Sequence, residues 1–414
     1  MASTLTTFDF ALKERYTEEK VEDLSFAENP FLGMIKKNEE FSGDGYNVPV
    51  ITVPPQGVAA ANLSTAQTGR TNVVGFKFLL TAGDYYGAVD IGDKVIKASR
   101  NNPGALLENK TAETDGLYQQ MADSIAIYAF GNGGNALGRE SGAWTTPSTT
   151  LILSDISQAA NFEVGMIVVS DTVDGGEASG TVNSGTNTIT AVDRETGTLT
   201  GTAWDSAISG FAASDYLFRS GDYTGASTVL CIEGLGSFIT ATNAPAALYG
   251  MTRTSDPQRL AGCRIAAADI AGLGIERRIK KLGSYMTGRY KGPGADVVFL
   301  HPEDWEVLET SLEARGWRSL TDESTRFGYE AISATVGGRK VKIYSDRHCT
   351  KGTAFLLKQN SWTMYSMLKL IHQINGDGLT MLRKSTTNDY EFRLQAYPCM
   401  ATNAPGWNGR VTLP

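Results

Sequence analysis

The chain has 414 residues, 41% of them hydrophobic, with a net charge of −8 and a pI near 5.1. That is material for more than one core, because single cores stop growing near ~250–300 residues. The acidic balance and the lack of a basic run argue against a phosphate-binding surface, which depends on Lys and Arg releasing counterions.

Residues 1–7 have neither the basic nor the apolar part of a secretion leader, and no apolar stretch approaches the ~18 residues of a membrane span. The cysteines at 231, 263, 349 and 399 lack paired spacing, and His301, His348 and His372 lie apart. A zinc site is not expected; reduced, buried thiols of a cytoplasmic chain are. His348-Cys349 is the one adjacent pair, and it too is read as structural.

In chain order, the first element is an acidic arm with ten acids against five bases up to Gly45. A DNA-binding arm would show the opposite balance. Its apolar pieces, Phe8 and Phe10 with Leu12 and Tyr16, then Phe31, Leu32, Met34 and Ile35, are too few to close a core and are expected to dock on something already folded.

Next is a β-branched strand, residues 46–55, interrupted by prolines. Proline cannot donate to a ladder, so the strand belongs on an edge. A polar loop of small residues, 56–71, leads to a return strand at 73–80, which together read as a projecting hairpin. Asn102-Pro103 offers an N-cap and a proline at the first helical position. Leu117, Met121, Ile125 and Tyr128 then recur at helical spacing. A helix over 103–130 would span ~40 Å; a second N-cap at Thr111 leaves open a break there. Gly131-Asn132-Gly133-Gly134 ends it.

From 144 to 222 the composition changes. Lysine is absent between Lys110 and Lys280, and two arginines face ten acids in this segment. Strands are expected at 162–169, 188–192 and 197–200, forming a small all-β insertion with an acidic, solvated surface. Its replacement by a short Gly-Ser linker is expected to leave the rest folded. A helix is expected over 265–286, basic around Arg277 to Lys281 and read as a solvated face. There follow a strand at 296–300, a helix opened by Pro302-Glu303-Asp304, a turn at Gly337-Gly338, and strands at 340–344, 353–357, 368–371, 380–383 and 390–397.

Chemistry is scarce. His301 with Glu303 and Asp304 at a strand's C-terminal end is the best catalytic candidate, but acids in a first helical turn also complement the dipole, and that reading is preferred. No nucleophile elbow, Walker loop or H-E-x-x-H motif occurs. The Gly131 turn follows a helix rather than opening one, so it presents no N-terminus to a phosphate.

This order of elements resembles the major capsid proteins of tailed double-stranded DNA bacteriophages, of the Hong Kong 97 type. The residues that carry the likeness are the helix end Tyr128-Ala129-Phe130-Gly131-Asn132-Gly133, the strand and proline-started helix from Asp296 to Trp305, and the glycine turn from Val336 to Ile343. The resemblance implies an α+β fold with an N-terminal arm (1–43), an E-loop hairpin (44–98), a P domain with a long spine helix (99–143), the all-β insertion (144–222), an A domain with return strands to the P domain (223–362), and C-terminal strands (363–414).

It also implies a coat protein without enzymatic activity or cofactor. Hexamers and pentamers would tile an icosahedral head around DNA held without sequence-specific binding. Phe8, Phe10, Asn62, Thr65, Arg70 and Lys77 are expected at subunit contacts. Expected partners are other copies, a separate scaffolding protein, a portal and a decoration protein, with no membrane, in a virion assembled in the host cytoplasm. The hairpin tip has no lysine for the cross-link some relatives form. An encapsulin-like shell around a host enzyme is the alternative, and an enzyme using His301 the remote one.

Overall fold

The computed structural model describes residues 29–39, 41, 45–98, 103–145, 148–176, 180–225, 229–242, 245, 247–313, 332–368, 370–374, 382–384 and 386–414, with only the backbone of 95, 96, 98 and 103–112. Phe8 and Phe10 lie outside them.

Strands Tyr46–Val53 and Val74–Leu80 form the expected antiparallel hairpin, Tyr46 opposite Leu80 and Val53 opposite Val74, with a bulge between Ile51 and Val53. Both strands are edges, so Pro49 is tolerated at the centre of one of them. Val48, Val50, Phe78 and Leu80 point inward and are buried. The tip is not a plain loop as expected. It holds a helix, Leu63–Thr68, which the small residues around it do not announce.

The helix Pro103–Phe130 runs unbroken through Thr111, about 42 Å at ~1.5 Å per residue. It crosses a four-stranded sheet in which Tyr390–Ala396 pairs with Tyr85–Ile91, His372–Gln373 and Leu382–Arg383. The strand expected at 368–371 is displaced to His372–Gln373, and of the one expected at 380–383 the described residues Leu382–Arg383 are strand. Close approach depends on Gly87, where a Cβ would lie 2.8 Å from Met121 Sδ.

The second body is a six-stranded mixed sheet in the order Cys263–Arg264, Gly409–Thr412, Thr353–Leu357, Val297–Leu300, Arg339–Ser345 and Ile332–Val336. Val297–Leu300 is buried on both faces, as an unbroken apolar run requires. Val298 and Leu300 pack with Ile279, Leu282 and Met286 of helix Ile275–Gly288. Val297 and Phe299 face the other core, with Phe31 and Phe130. Gly337 and Gly338, both at positive φ (57° and 78°), make a two-residue turn of the I′ kind. The helix expected over 265–286 is in two pieces, Ala267–Ile270 and Ile275–Gly288, separated where Gly272 takes φ +70°.

The segment after the long helix is mostly β rather than all-β as expected, with a 3-10 helix at Ile156–Asn161 and one α-helical turn at Trp204–Ala207. One sheet has the order Gly138–Arg139, Tyr216–Arg219, Ile167–Asp171, Asn187–Thr188; another comprises Ala191–Asp193, Thr198–Thr200 and Thr150–Ile152. The strand expected at 188–192 is therefore two, one in each sheet. Its acids are not all solvated. Asp215 is buried and accepts from Ala212 N (3.0 Å), Ser170 Oγ (3.1 Å) and Asn183 Nδ2 (2.9 Å). Glu140, just ahead of it, is buried and binds three backbone N–H groups, those of Gly142, Trp144 and Ser214. Carboxylates can be buried when donors converge on them in this way.

Candidate functional site: an open hairpin and its anchors

The hairpin combines a locked base with an open tip. At the base Phe78 meets Phe238 edge to face (5.5 Å) and Tyr46 lies against Tyr365 (4.8 Å); at the far end of the strand the Arg259 guanidinium donates to Thr52 O. At the tip Asn62 Oδ1 accepts from Thr65 N (2.8 Å) and Thr65 Oγ1 (2.9 Å), capping Leu63–Thr68. Gln56 N donates to Thr71 Oγ1 (3.1 Å). The lobe is thus ordered by its own hydrogen bonds, yet Ile51, Val58 and Leu63 are 73%, 88% and 73% exposed. Arg70 and Lys77, also exposed, are the only charged residues between 45 and 83. Of the sequence-predicted contact residues, Asn62 and Thr65 spend their side chains on each other, while Arg70 and Lys77 meet no carboxylate among the described residues. At the tip Val58 and Leu63 were missed, because a lone Val or Leu among Ala, Ser and Gly carries no periodic signal; Ile51 belongs to the strand Tyr46–Val53.

The end of the long helix is more than a stop. Gly236 N donates to Gly131 O (2.8 Å), and a Cβ on Gly134 would sit 1.9 Å from Asp174 O. Gly133, at φ +83°, leaves room for Glu233, whose carboxylate oxygen would lie 2.3 Å from a Cβ there. Burial pushes the Glu233 carboxyl up to about 7, against hydrogen bonding from Ser237 and the charge of Arg253.

Two polar clusters clamp this helix to the other elements. Tyr128 OH donates to Asp222, while Arg219 Nη1 donates to Tyr85 OH (2.7 Å) and Ser124 Oγ (2.8 Å). On another face Arg347 pairs with Asp123 (2.6 Å), and His348 Nδ1 meets Asp346 Oδ1 (3.1 Å). Asp346 also accepts from Phe31 N (3.2 Å). Burial works against the charged His348 ring, but hydrogen bonds to Asp123 and Asp346 overcome it and raise its pKa.

The His301 cluster is occupied by structure. His301 Nδ1 accepts from Glu303 N (3.3 Å) and Asp304 accepts from Gly352 N (2.8 Å), while Glu303 pairs with Lys351. Burial lowers the His301 pKa and raises that of Asp304. All four cysteines are buried and free. Among the described residues no group of three or more His, Cys, Asp or Glu side chains is placed to hold a metal, and no helix is long and apolar enough to cross a membrane.

No protein-family model matches the chain, and no curated protein matches it. Among solved structures it is similar to the Cyanophage A-1(L) capsid asymmetric unit, with a TM-score of 0.53 and 11% identity over 97% of this chain and 96% of that one. The chain has the Hong Kong 97-type capsid fold. The capsid fold is shared although the residues that build it differ almost throughout. The capsid of Myoviridae phage XM1 has a TM-score of 0.46 and 11% identity over 97% of each chain. The holo-SrpI encapsulin complex from Synechococcus elongatus has a TM-score of 0.45 and 7% identity over 100% of this chain and 95% of that one.

Proposed function

We propose that this chain is the major capsid protein of a tailed double-stranded DNA phage, with a structural rather than an enzymatic role. In this reading it assembles as hexamers and pentamers into an icosahedral head, with a separate scaffolding protein, a portal and a decoration protein as partners. The hairpin acts as the E-loop, Pro103–Phe130 as the P-domain spine, and the six-stranded sheet as the core of the A domain. Virion location and assembly in the host cytoplasm follow from the same reading.

One observation carries it. The hairpin holds exposed apolar side chains on a rigid lobe whose strand edges are unpaired among the described residues. Such an edge is satisfied by a neighbour, and one heterologous contact repeated by rotation closes into rings. Deleting residues 56–71 leaves the buried base intact, so the expected product is a folded subunit that forms no shells. Normal particles by negative-stain electron microscopy would overturn the proposal. Cargo separates phage head from nanocompartment: DNA in native particles supports the first, a packaged enzyme the second.

A further inference from the structure

We propose that the exposed face of helix Ile275–Gly288, continued by the turn at 289–294 and the Gly337-Gly338 hairpin, contacts the phosphate backbone of double-stranded nucleic acid. Composition alone argued against such a surface, because acids outnumber bases over the whole chain and the short basic stretch from Arg277 to Lys281 was read as a solvated face. Residues 275–296 and 332–345 hold nine basic and two acidic residues in a chain where acids outnumber bases. The two acids are already engaged, Glu276 by Lys280 and Asp296 by Lys358 (2.7 Å).

The geometry gathers the charge. Arg277, Lys281, Tyr285 and Arg289 follow one another at i,i+4, a single row along the helix. That row covers ~18 Å at ~1.5 Å per residue, the length over which a duplex carries about ten charges. Arg289 stacks on Tyr285 at 3.7 Å from the ring centroid, and Lys281 lies 5.9 Å from the same centroid. A stacked guanidinium keeps its N–H edge available to phosphate oxygens. At the end of the row the chain turns back, with Lys291 exposed at φ +54° and Gly294 beside Arg339, whose Cδ would lie 3.2 Å from a Cβ there. Exposed Trp407 closes this end, 3.8 Å from where Gly292 would carry a Cβ.

Charge, rather than an apolar groove, dominates the face, which favours a polyanion over a seated protein segment. Part of the basic helix does serve the fold, since Arg278 donates to Leu273 O (2.7 Å) and Thr412 O (2.9 Å), and Lys281 of the row donates to Asp269 O. Arg277, Arg289, Lys291 and Arg339 remain outward. Only the source of the nucleic acid rests on the proposed function.

The test is fluorescence anisotropy of a labelled ~20-base-pair duplex with dispersed full-chain subunits. Four phosphate contacts give a slope of log affinity against log salt of roughly −3.6, a loss of roughly 100-fold between about 50 and 200 mM. The combined variant Arg277→Gln, Arg289→Gln and Arg339→Gln should bind at least ~10-fold more weakly at the lower salt, with a slope shallower by roughly 2.7. Lysines at the same three positions should keep most of the slope. Parent protein that fails to bind, or a glutamine variant with the parent slope, overturns the inference. So does displacement of the duplex by an equal concentration of the acidic peptide of residues 1–28. Negative-stain images of the same preparations keep the two proposals apart: shells without duplex binding remove this one alone.

Discussion

Replacing Ile51, Val58 and Leu63 together by serine removes the three most exposed apolar side chains of the hairpin and leaves the contacts of its base in place. With exposures of 73%, 88% and 73%, the three side chains contribute little to the stability of a free subunit. Fully burying one such side chain is worth about 1.5–3 kcal/mol. Scaled by exposed fraction, the three offer about 3–7 kcal/mol when a neighbour covers them, an upper estimate because coverage is rarely complete. If half is realised, each ~1.4 kcal/mol shifts the equilibrium tenfold. The concentration at which particles appear should therefore rise by about 10- to 300-fold. Light scattering against subunit concentration, with sedimentation of the products, reads this directly. Melting by circular dichroism should stay within a few degrees of the parent, the residual change coming from lost strand propensity at Ile51. Particles forming at the parental concentration would refute the reasoning, and a collapsed melt would show that the tip supports the fold.

Three further outcomes follow from the clamps and the helix. Tyr128→Phe deletes the hydrogen bond from a fully buried phenol to Asp222, which should cost about 1.5–3 kcal/mol in urea unfolding; a change below ~0.5 kcal/mol would mean water replaces it. His348 has a raised pKa in the folded state, opposed by burial and driven by Asp123 and Asp346. Its stabilisation is complete below the ordinary value of ~6.5 and is lost as pH rises through the folded value. Melting midpoints should fall between about pH 6 and 8, and His348→Gln should flatten that stretch. Glu233, held at about 7, pushes in the same direction but is common to both proteins, so the difference between the curves isolates the histidine. Gly116 sits exposed within the long helix, with open space for 4 Å around the point a Cβ would take. Gly116→Ala should therefore add about 0.5–1 kcal/mol, and a loss instead would point to an unrecognised contact at that position.

Elements whose cause is local could be read from the sequence. Proline at the first helical position and glycines past the end delimit Pro103–Phe130, and Gly337-Gly338 set a tight hairpin because both take positive φ. Pairings across the chain could not be read. Nothing near Tyr85 signals that its strand joins Tyr390–Ala396, and nothing near Thr52 signals Arg259. The break after Ile270 was missed because apolar periodicity continues across it while Ala271, Gly272 and Gly274 depart from helical backbone. For the same reason the hairpin could be placed from the sequence but not its active face. The polar residues Asn62 and Thr65 suggested contacts, yet they cap a helix that the small residues around them do not announce.

The insertion is tied into the rest of the subunit by its contacts. Its core residues Leu151, Phe162, Leu199 and Leu217 belong to the same apolar cluster as Ile125 and Phe130 of the long helix. Arg219 and Asp222 satisfy buried groups on that helix and on strand Tyr85–Ile91. At its other side Asp155 faces Lys351 (3.6 Å), which also holds Glu303 on the helix that follows the central strand of the six-stranded sheet. A segment fastened at both places restricts the angle between the long helix and the six-stranded sheet. Rigid sheets and helices transmit such a restraint because packed cores deform little. A Gly-Ser linker in place of residues 145–222 would free that angle and remove Arg219 from Tyr85 and Asp222 from Tyr128. The hairpin, anchored on the same core through Phe78 and Phe238, would then project from a less determined base. The insertion therefore helps to hold the direction in which the hairpin leaves the subunit.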